Sequence, residues 1–551
     1  MKNNQKSPRE IGETAISRGF FCLRFCDKLE YMDYEAVIGL EIHAELKTRS
    51  KMFCGCLNDP AERHPNVNVC PICLGHPGVL PVINSGAVRA VLKTGLALDC
   101  RIPERSKFDR KNYFYPDLPK GYQISQYDAP LCGEGYLEIS SQDEIAEFTK
   151  SQISNPKSQT NTKYKIQNTK YKKIRIRRVH LEEDTGRLVH PEDNNHSLVD
   201  FNRAGVPLME LVTEPDIRSG GEARRFAEEL QLILKYLGVS DADMERGQMR
   251  VEANISLRPK GAAEFGTKVE IKNLNSFKAI ERAIDFEIKR QEGILSEGGK
   301  ISQETRGWNV DKEKTFSQRS KEGAHDYRYF PEPDLPPLKI GVGGLNLDDI
   351  RAGIGELPAA RRARFGREFG LPPADIEIFT VNKALGDYFE AVVSELAQVE
   401  KEEKHEGHIG AEIFKTAANY LISDFQNMLK ETGAGAGDSR ITPENFAEFI
   451  RLIHGGKISS RAAKDILKIM FETGGDPSQI MEERNLSQVS DASELENWVR
   501  ETIKENPGPA EDFKKGKTQA LQFLVGQTMK KSQGKANPQI IQQILQKLLT
   551  N

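Results

Sequence analysis

Carboxylate and imidazole side chains recur at alternate positions in two short segments of this sequence. In residues 37–46, Glu41, His43 and Glu45 alternate with isoleucines and leucines, and polar and apolar residues alternate in the same way in residues 249–258. Side chains two positions apart in a β-strand share a face, so each segment predicts a strand with one charged face. Several carboxylates on one face, with cations beside them, suit Mg²⁺ that bridges nucleotide phosphates.

Three further glutamates extend this pattern. Glu252 lies on the polar side of its segment, Glu270 lies between two lysines, and Glu210 lies in the apolar run 207–212, where an unpaired charge would be costly. The cations beside them are candidate phosphate contacts: Arg250, Arg258, Lys268 and Lys272. An antiparallel sheet with one solvated face and ordinary charge pairs across its strands is the alternative interpretation. The recurrence of carboxylates beside cations favours a magnesium–nucleotide site.

The segment 175–184 adds His180 and three consecutive acids, Glu182, Glu183 and Asp184. Three neighbouring side chains cannot all face one side of a strand. Strand parity does not decide between Glu182 and Glu183, because the pairing register is unknown.

Two closely spaced cysteine pairs predict a structural zinc site. Cys54 and Cys56 are followed, after thirteen residues, by Cys70 and Cys73. Two such pairs on tight turns can deliver four thiolates in a tetrahedron, and a site closed by four protein ligands is structural. His64 and His76 are alternative ligands, and four unligated thiols are the alternative to a metal. The remaining cysteines, Cys22, Cys26, Cys100 and Cys132, show no pairing pattern.

The composition predicts a multidomain globular protein. The 551 residues are 38% hydrophobic and 29% charged, with a net charge of −3, so any nucleic-acid contact must come from local patches. No apolar run approaches the length of a membrane span, and no signal peptide is evident. Paired cysteines without a secretion signal indicate the reducing cytoplasm and metal ligation rather than disulfides.

Periodicity divides the chain into three structured parts. Short alternating strands and two helices, 221–237 and one capped by Ser276, predict a mixed α/β domain over residues 32–335. The proline-rich stretch 330–337 marks its end. Helical patterns follow, and we assign residues 336–480 to a helical domain and residues 481–551 to a small helical tail.

Two segments lie outside these patterns. Residues 1–31 precede Met32, and are either a flexible extension or a wrongly assigned start. Residues 140–173 form a polar insert with a direct repeat, predicted to be a mobile loop, with a basic RNA-contacting loop as the alternative. We expect both segments to be dispensable.

Several long motifs resemble the GatB family of tRNA-dependent amidotransferase subunits. The similarity covers residues 34–549 apart from the insert, and its departures, which include the loop at 401–410, fall in no motif. The motifs are Tyr34–His43, Pro71–Gly78, Asn112–Gln126, His180–Asp184, Asp200–Gly205, Glu270–Phe277, Asp326–Asp334, Gly456–Ser460, Gly516–Gln527 and Gly534–Pro538.

The resemblance implies a catalytic cradle related to glutamine synthetase and guanidino kinases, an α+β fold with an antiparallel sheet, followed by an all-α domain and a YqeY-like tail. It also implies that ATP and Mg²⁺ activate the side chain of Glu-tRNA(Gln) or Asp-tRNA(Asn) for amidation. The family's magnesium-site residues fall on Glu41, His43, Glu183, Glu210, Glu252 and Glu270. Here it is the resemblance that favours Glu183 over Glu182. The four-cysteine zinc site matches a subset of the family.

The resemblance further implies a heterotrimer with an amidase, GatA, which supplies ammonia, and a small third component, GatC. The tail lysines are candidate tRNA phosphate contacts, with a solvated helix face as the alternative: Lys514, Lys515, Lys517, Lys530, Lys531, Lys535 and Lys547. Two other classes remain open. One is a ligase or kinase for free small molecules, which the long helical C-terminus disfavours, and the other is a zinc-bearing RNA-binding module without catalysis.

Overall fold

The structure is a computed structural model. It describes residues 33–59, 61–140, 171–191, 196–320, 326–402, 411–488, 492–532 and 535–550. The predicted N-terminal extension and all but the edges of the predicted insert lie outside these residues, so the expectations about them stay predictions.

The N-terminal part is built on one large sheet. The strands of this part are β1 Tyr34–Glu45, β2 Arg105–Ser106, β3 Asp109–Asn112, β4 Tyr122–Ser125, β5 Cys132–Ser140, β6 Tyr171–Glu183, β7 Arg187–Val189, β8 Leu198–Asp200, β9 Pro207–Thr213, β10 Met249–Pro259, β11 Val269–Leu274, β12 Glu304–Asn309, β13 Lys314–Ser320, β14 Phe330–Pro331 and β15 Leu338–Lys339. Eight of them form the large sheet, in the order β13-β12-β11-β10-β1-β9-β6-β5.

The helices lie partly on this sheet and partly beyond it. Those of the first part are α1 Ser85–Ala97, α2 Gly220–Leu237 and α3 Phe277–Ser296; then follow α4 Leu347–Ala352, α5 Pro358–Phe369, α6 Pro373–Val381, α7 Lys383–Glu402, α8 Ala411–Tyr420, α9 Gln426–Thr432, α10 Pro443–His454, α11 Ser460–Thr473, α12 Pro477–Glu483, α13 Ala492–Glu505, α14 Pro507–Lys514, α15 Gln519–Lys531 and α16 Pro538–Thr550. Short 3₁₀ turns occur at Gly343–Leu345 and Ala436–Asp438, and a π-helical turn joins α8 to α9 at Leu421–Phe425.

Alternation along the strands gives the large sheet two unlike faces. In β10 the five apolar residues from Met249 to Leu257 are buried in one core with the apolar positions of β1, and α1, α2 and α3 pack on this side. The predicted helices agree closely with α2 and α3, and Ser276 caps α3 by accepting a hydrogen bond from the N–H of Ala279 at 3.1 Å. The other face carries the charged residues.

All described neighbours in the large sheet are antiparallel except β11 and β12. These two strands can be parallel because α3 lies between them in the chain. The helix returns the chain to the end of the sheet at which β11 begins, which a tight turn cannot do. A second, three-stranded sheet, β14-β3-β4, contacts β6 through β4.

The described residues form three separate hydrophobic cores along the chain. The first comprises the large sheet and its helices and extends as far as Ile350, with Ile354 and Leu357 packed against it. The second runs from Phe365 to Ile480 and the third from Leu495 to Leu549. The α+β domain followed by all-helical parts confirms the predicted fold class. None of the helices in the described part of the chain is both long and apolar enough to span a membrane.

Candidate active site

The charged face of the sheet carries a cluster of acids and imidazoles where the C-terminal parts of β1 and β6 flank the middle of β9. Cross-strand pairing aligns His180 with Glu210, and Glu210 with His43. Both imidazole Nε2 atoms lie 3.3 Å from the same oxygen, Oε2 of Glu210. Glu41 and Glu182 complete the group, with carboxylate oxygens 3.8 Å and 3.7 Å from His43 Nε2. We call these five residues the acid cluster.

A β-bulge decides which residues of β6 join the acid cluster. Ile176 pairs with Thr213, and Arg178 pairs with the next residue, Val212, so β6 has one extra residue between them. Such an insertion reverses the alternation beyond it. Ile174 and Ile176 are buried in the core before the bulge, whereas Val179 and Leu181 are buried there after it. His180 and Glu182 therefore point to the charged face.

Glu183, which the resemblance favoured, lies outside the acid cluster. Its carboxylate forms an ion pair with Lys120 and accepts a hydrogen bond from the N–H of Ile124 at 2.9 Å. Glu182, its neighbour, accepts a hydrogen bond from Ser125 Oγ at 2.9 Å. Both side chains are buried, but only that of Glu182 faces the imidazoles.

The acid cluster holds more acid than its imidazoles neutralise. Burial and the charge of Glu210 raise the pKa of Glu41 to about 7. Burial acts to lower the pKa of His180, but the charge of Glu210 and hydrogen bonds with Glu182 and Glu210 raise it to about 9. Burial acts to raise the pKa of Glu210, yet the two imidazoles hold it well below its usual range. An added cation would offset both burial and the repulsion from Glu210, and so favour the charged carboxylate of Glu41.

Glu252 and Glu270 form a second group beside Glu41. Glu252 is paired across the strands with Glu41. Lys272 Nζ lies 2.6 Å from Glu252 Oε2 and 3.6 Å from Glu270 Oε1. Thr305 Oγ1 donates to Glu270 Oε2 at 2.8 Å. Lys272 is thus the predicted cation that lies between predicted carboxylates.

The other three predicted cations have different surroundings. Arg250 donates to Asp184 at 2.8 Å, Arg258 donates to Glu35 at 2.7 Å, and Lys268 is exposed. Arg250 stands next to His43 in the pairing of β10 with β1, so it borders the acid cluster. Arg258 pairs with Glu35 near the start of β1, several residues from the cluster.

The cysteine pairs converge as predicted. The Sγ atoms of Cys54, Cys56, Cys70 and Cys73 all lie within 4.8 Å of one another. Cys70 Sγ and Cys73 Sγ are 3.9 Å apart, close to the edge of about 3.8 Å that four sulfurs at about 2.3 Å from a zinc ion would span. Cys100 and Cys132 are buried elsewhere, and His64 contacts Glu62 at 2.9 Å instead of a thiol.

A buried lysine supports the thiol cluster. Lys51 is fully buried, and its Nζ lies 2.6 Å from the carbonyl oxygen of Asn68, 3.3 Å from that of Phe201 and 3.8 Å from Cys73 Sγ. A hydrogen bond from Cys54 lowers the pKa of Cys73, as do the N–H of Cys70 and the charge of Lys51. These contacts favour the thiolate of Cys73, the form that a metal requires, whereas the hydrogen bond with Cys73 raises the pKa of Cys54 and burial raises that of Cys56.

Two family models match the chain. The model described as the GatB/GatE catalytic domain matches residues 36–343, and the one described as the GatB domain matches residues 406–549. The first alone covers more than half of the chain. The chain belongs to the GatB family.

Curated GatB relatives match almost the whole chain. A protein of Carboxydothermus hydrogenoformans is 46% identical over 93% of this chain and 98% of its own length. Others from Caldanaerobacter subterraneus subsp. tengcongensis and Dehalococcoides mccartyi are 47% and 46% identical over 94% of this chain, and over 100% and 99% of their own lengths. Each of the three is named as the B component of an aspartyl/glutamyl-tRNA(Asn/Gln) amidotransferase. The predicted family and enzyme class are thereby confirmed.

From sequence, His180 and Lys111 of this GatB-family site were not assigned a role, and Glu182 was only the alternative to Glu183. His180 and Glu182 reach the acid cluster because of the bulge in β6. The residue types around the bulge do not predict it. Lys111, on β3, interacts electrostatically with Glu182 and Glu210, whose charges raise its pKa even though burial acts to lower it. It comes from the second sheet, so strand alternation within one segment could not have placed it.

Proposed function

We propose that this chain uses ATP to phosphorylate the side-chain carboxylate of Glu-tRNA(Gln) or Asp-tRNA(Asn), and that ammonia then converts the acyl phosphate to the amide. The observation that carries the proposal is the acid cluster on the sheet of a GatB-family chain. The name of the relatives supports the tRNA-linked amino acid as the substrate.

The donors present suit a hard divalent cation. Glu41, Glu182 and Glu210 offer carboxylate oxygens around His43 and His180. Ligand atoms lie within 4.8 Å of one another in each of two groups of three, Glu41–His43–Glu210 and His180–Glu182–Glu210. Oxygen-rich sets of this kind bind Mg²⁺ together with nucleotide phosphates. When bound, Mg²⁺ would neutralise charge on the transferring phosphoryl group. Glu252 and Glu270 would be further ligands from the neighbouring group.

Activation is chemically necessary because a free carboxylate is a poor electrophile, whose leaving group would be oxide. Attack of the carboxylate oxygen on the γ-phosphorus of ATP forms the acyl phosphate and releases ADP. Ammonia attacks the acyl carbon, phosphate departs, and a proton is lost from nitrogen. Lys111, Lys272 and Arg250 border the acids and would attract the phosphates.

We infer that the ammonia comes from another protein of the complex. Among the described cysteines, four lie in the thiol cluster and Cys100 and Cys132 are buried, so no free exposed thiol offers a glutaminase nucleophile. We propose an amidase partner, GatA, as the ammonia source and a small protein, GatC, as the third component. The four thiols would hold a structural Zn²⁺.

The experiment reconstitutes the complex and measures ATP-dependent amidation of each misacylated tRNA in turn. We expect Glu210→Gln to abolish amidation and ADP formation while leaving the partner's glutaminase active, because Glu210 contacts both imidazoles. Near-normal amidation by this variant would contradict the assignment. ATP turnover at the full rate without tRNA would favour a small-molecule ligase instead.

A further inference from the structure

Two aromatic-rich segments of the matched motifs take no part in the proposed chemistry. One contains Tyr113 and the other contains Tyr327 and Tyr329, more than two hundred residues later. Pairing of β14 with β3 brings them together, and Asn112 Nδ2 fixes the second segment by donating to the carbonyl oxygen of Arg328 at 2.8 Å. The fold therefore assembles these rings from distant parts of the chain.

The rings form one continuous surface, which we call the tyrosine patch: Tyr113, Tyr127, Tyr327 and Tyr329. Tyr127 and Tyr329 are nearly parallel, with ring centroids 4.3 Å apart and planes 11° apart. Tyr327 meets Tyr329 edge-on at 6.0 Å and Tyr113 at 5.9 Å. The side chain of Tyr127 is 58% exposed, so the parallel pair presents a ring to solvent and is not part of a closed core.

Lys111 connects the tyrosine patch to the acid cluster. Its Nζ lies 5.2 Å from the centroid of Tyr327 and 6.0 Å from that of Tyr113. The hydroxyl of Tyr113 donates to Gln123 Oε1 at 3.3 Å, and Gln123 Nε2 donates to the backbone carbonyl of Glu183 at 2.6 Å. Ser125, two residues before Tyr127, donates to Glu182 Oε2 at 2.9 Å. The patch therefore borders the acid cluster, where the phosphoryl group would be transferred.

The position of the patch limits what it can contact. On the proposed function, the reacting carboxylate is joined by only a few bonds to the ribose of the 3′-terminal nucleoside of the tRNA. A surface that borders the reaction centre must therefore meet that nucleoside or the ATP. Of the four rings only that of Tyr127 is exposed, and Tyr113, Tyr327 and Tyr329 are half-buried behind it. An exposed aromatic ring near a cation is the usual platform for an unpaired base, which stacks through its face. Binding of phosphate alone requires cations such as Lys111 and would not explain four clustered tyrosine rings.

We propose that the tyrosine patch stacks on the unpaired 3′-terminal adenosine of the aminoacyl-tRNA and so positions its amino-acid side chain at the acid cluster. This inference rests on the proposed function. The tyrosines act as positioning residues, since they hold the nucleoside and do not touch the carboxylate that reacts.

The test removes the ring and the base separately and together. The reconstituted complex is titrated with uncharged tRNA that either carries or lacks its 3′-terminal adenosine, so binding is measured without chemistry. The variant is Tyr127→Leu/Tyr329→Leu, and Tyr127→Leu alone changes only the more exposed ring. Tyr127→Phe/Tyr329→Phe keeps the stacking surface. Tyr171→Leu is the matched control, because Tyr171 is 65% exposed at the opposite end of β6.

We expect loss of the terminal adenosine to weaken binding by the unmodified complex about five-fold or more, the usual effect of one stacked base. Tyr127→Leu/Tyr329→Leu and Tyr127→Leu should bind intact tRNA correspondingly more weakly. Removal of the adenosine should not weaken their binding further, since removing one partner already removes the contact. The phenylalanine variant and Tyr171→Leu should behave like the unmodified complex, and the KM for ATP should not change.

The inference would be overturned if the loss of tRNA affinity caused by the tyrosine substitutions and the loss caused by removing the terminal adenosine multiplied, because the two would then be independent. A raised KM for ATP with unchanged tRNA binding would also overturn it, and would assign the patch to the adenine of ATP. Failure of the proposed function is recognised separately, by the absence of amidation of any misacylated tRNA. The binding titration uses uncharged tRNA, so its dependence on the terminal adenosine is measured independently of amidation.

Discussion

Glu182 and Glu183 are adjacent on β6 but have different partners. Glu182 lies 3.7 Å from His43 and accepts a hydrogen bond from Ser125, whereas Glu183 forms an ion pair with Lys120. Both carboxylate oxygens of Glu183 contact Lys120, and one also accepts the N–H of Ile124, so they are engaged away from the acid cluster. The two residues should therefore respond differently to the same substitution.

We predict that Glu182→Gln weakens divalent-cation binding at least about ten-fold, whereas Glu183→Gln changes it little. One lost charged ligand removes a charge-assisted contact, and a ten-fold change corresponds to about 1.4 kcal/mol. The measurement is Mn²⁺ binding to the full chain, followed by electron paramagnetic resonance. The reverse ranking would restore Glu183 as the ligand. Thermal unfolding of each variant checks that the fold is retained.

The thiol cluster gives a second prediction at the scale of single residues. Purified protein should contain about one zinc per chain, and Cys70→Ser/Cys73→Ser should lose it, because two of four ligands are removed. Elemental analysis by mass spectrometry measures the ratio. Cys100→Ser is the control, since Cys100 is a buried thiol outside the cluster. Equal zinc in all three proteins would exclude this site.

At the scale of elements, the close approach of α2 to α3 depends on a glycine. A Cβ at Gly220 would lie 2.3 Å from the carbonyl oxygen of Glu281 and 2.6 Å from Asp285 Oδ1. Gly220 also donates its N–H to Asp285 Oδ1 at 3.0 Å. The first turn of α2 therefore rests directly on α3. This contact helps to hold both helices on the apolar face of the sheet.

We predict that Gly220→Ala destabilises the sheet domain by about 1–3 kcal/mol, because backbone must move to admit the methyl group. Gly293→Ala is the matched control. Gly293 lies in α3 with open space around its Cβ position, so alanine should stabilise by up to about 1 kcal/mol. Urea unfolding in a Trp498→Phe background reports this domain, since Trp308 is then the only tryptophan. Equal effects of the two substitutions would refute the packing argument.

At the scale of the whole molecule, the tail has a hydrophobic core of its own, from Leu495 to Leu549. Some of its lysines are engaged: Lys531 contacts Glu501 and Glu505, at 2.7 Å and 2.8 Å. Lys515 and Lys517 also contact acids within the tail. Within residues 492–532 and 535–550, no ion pair is seen for Lys514, Lys530, Lys535 and Lys547. These four remain candidate phosphate contacts.

We predict that a chain ending at Gln488 keeps its fold, its zinc and its partner proteins but binds tRNA markedly more weakly. Leu486 packs on the second core and Gln488 donates its N–H to the carbonyl oxygen of Lys457 at 2.7 Å, so a cut beyond Gln488 leaves that core covered. Each neutralised phosphate releases counterions, so the salt dependence of tRNA binding should also become shallower. Unchanged affinity and salt slope would make the tail a packing module.

Alternation of residue types was sufficient to predict the faces of β1, β9 and β10, because the side-chain period of a strand is a local property. It therefore placed Glu41, His43, Glu210 and Glu252 on one surface before any pairing was known. The helices α2 and α3 were predictable for the same reason, from periodicity and from the cap at Ser276. The cysteine spacing likewise predicted the thiol cluster, since each pair lies on a tight turn.

Only the tertiary structure decided which side of β6 faces the acids. The bulge between Ile176 and Arg178 is defined by pairing with β9, and one extra residue exchanges the two faces of everything that follows. Lys111 and the tyrosine patch depend on contacts across more than fifty and more than two hundred residues of sequence, respectively. Such contacts arise from the energy of the whole assembled core, which no short segment contains.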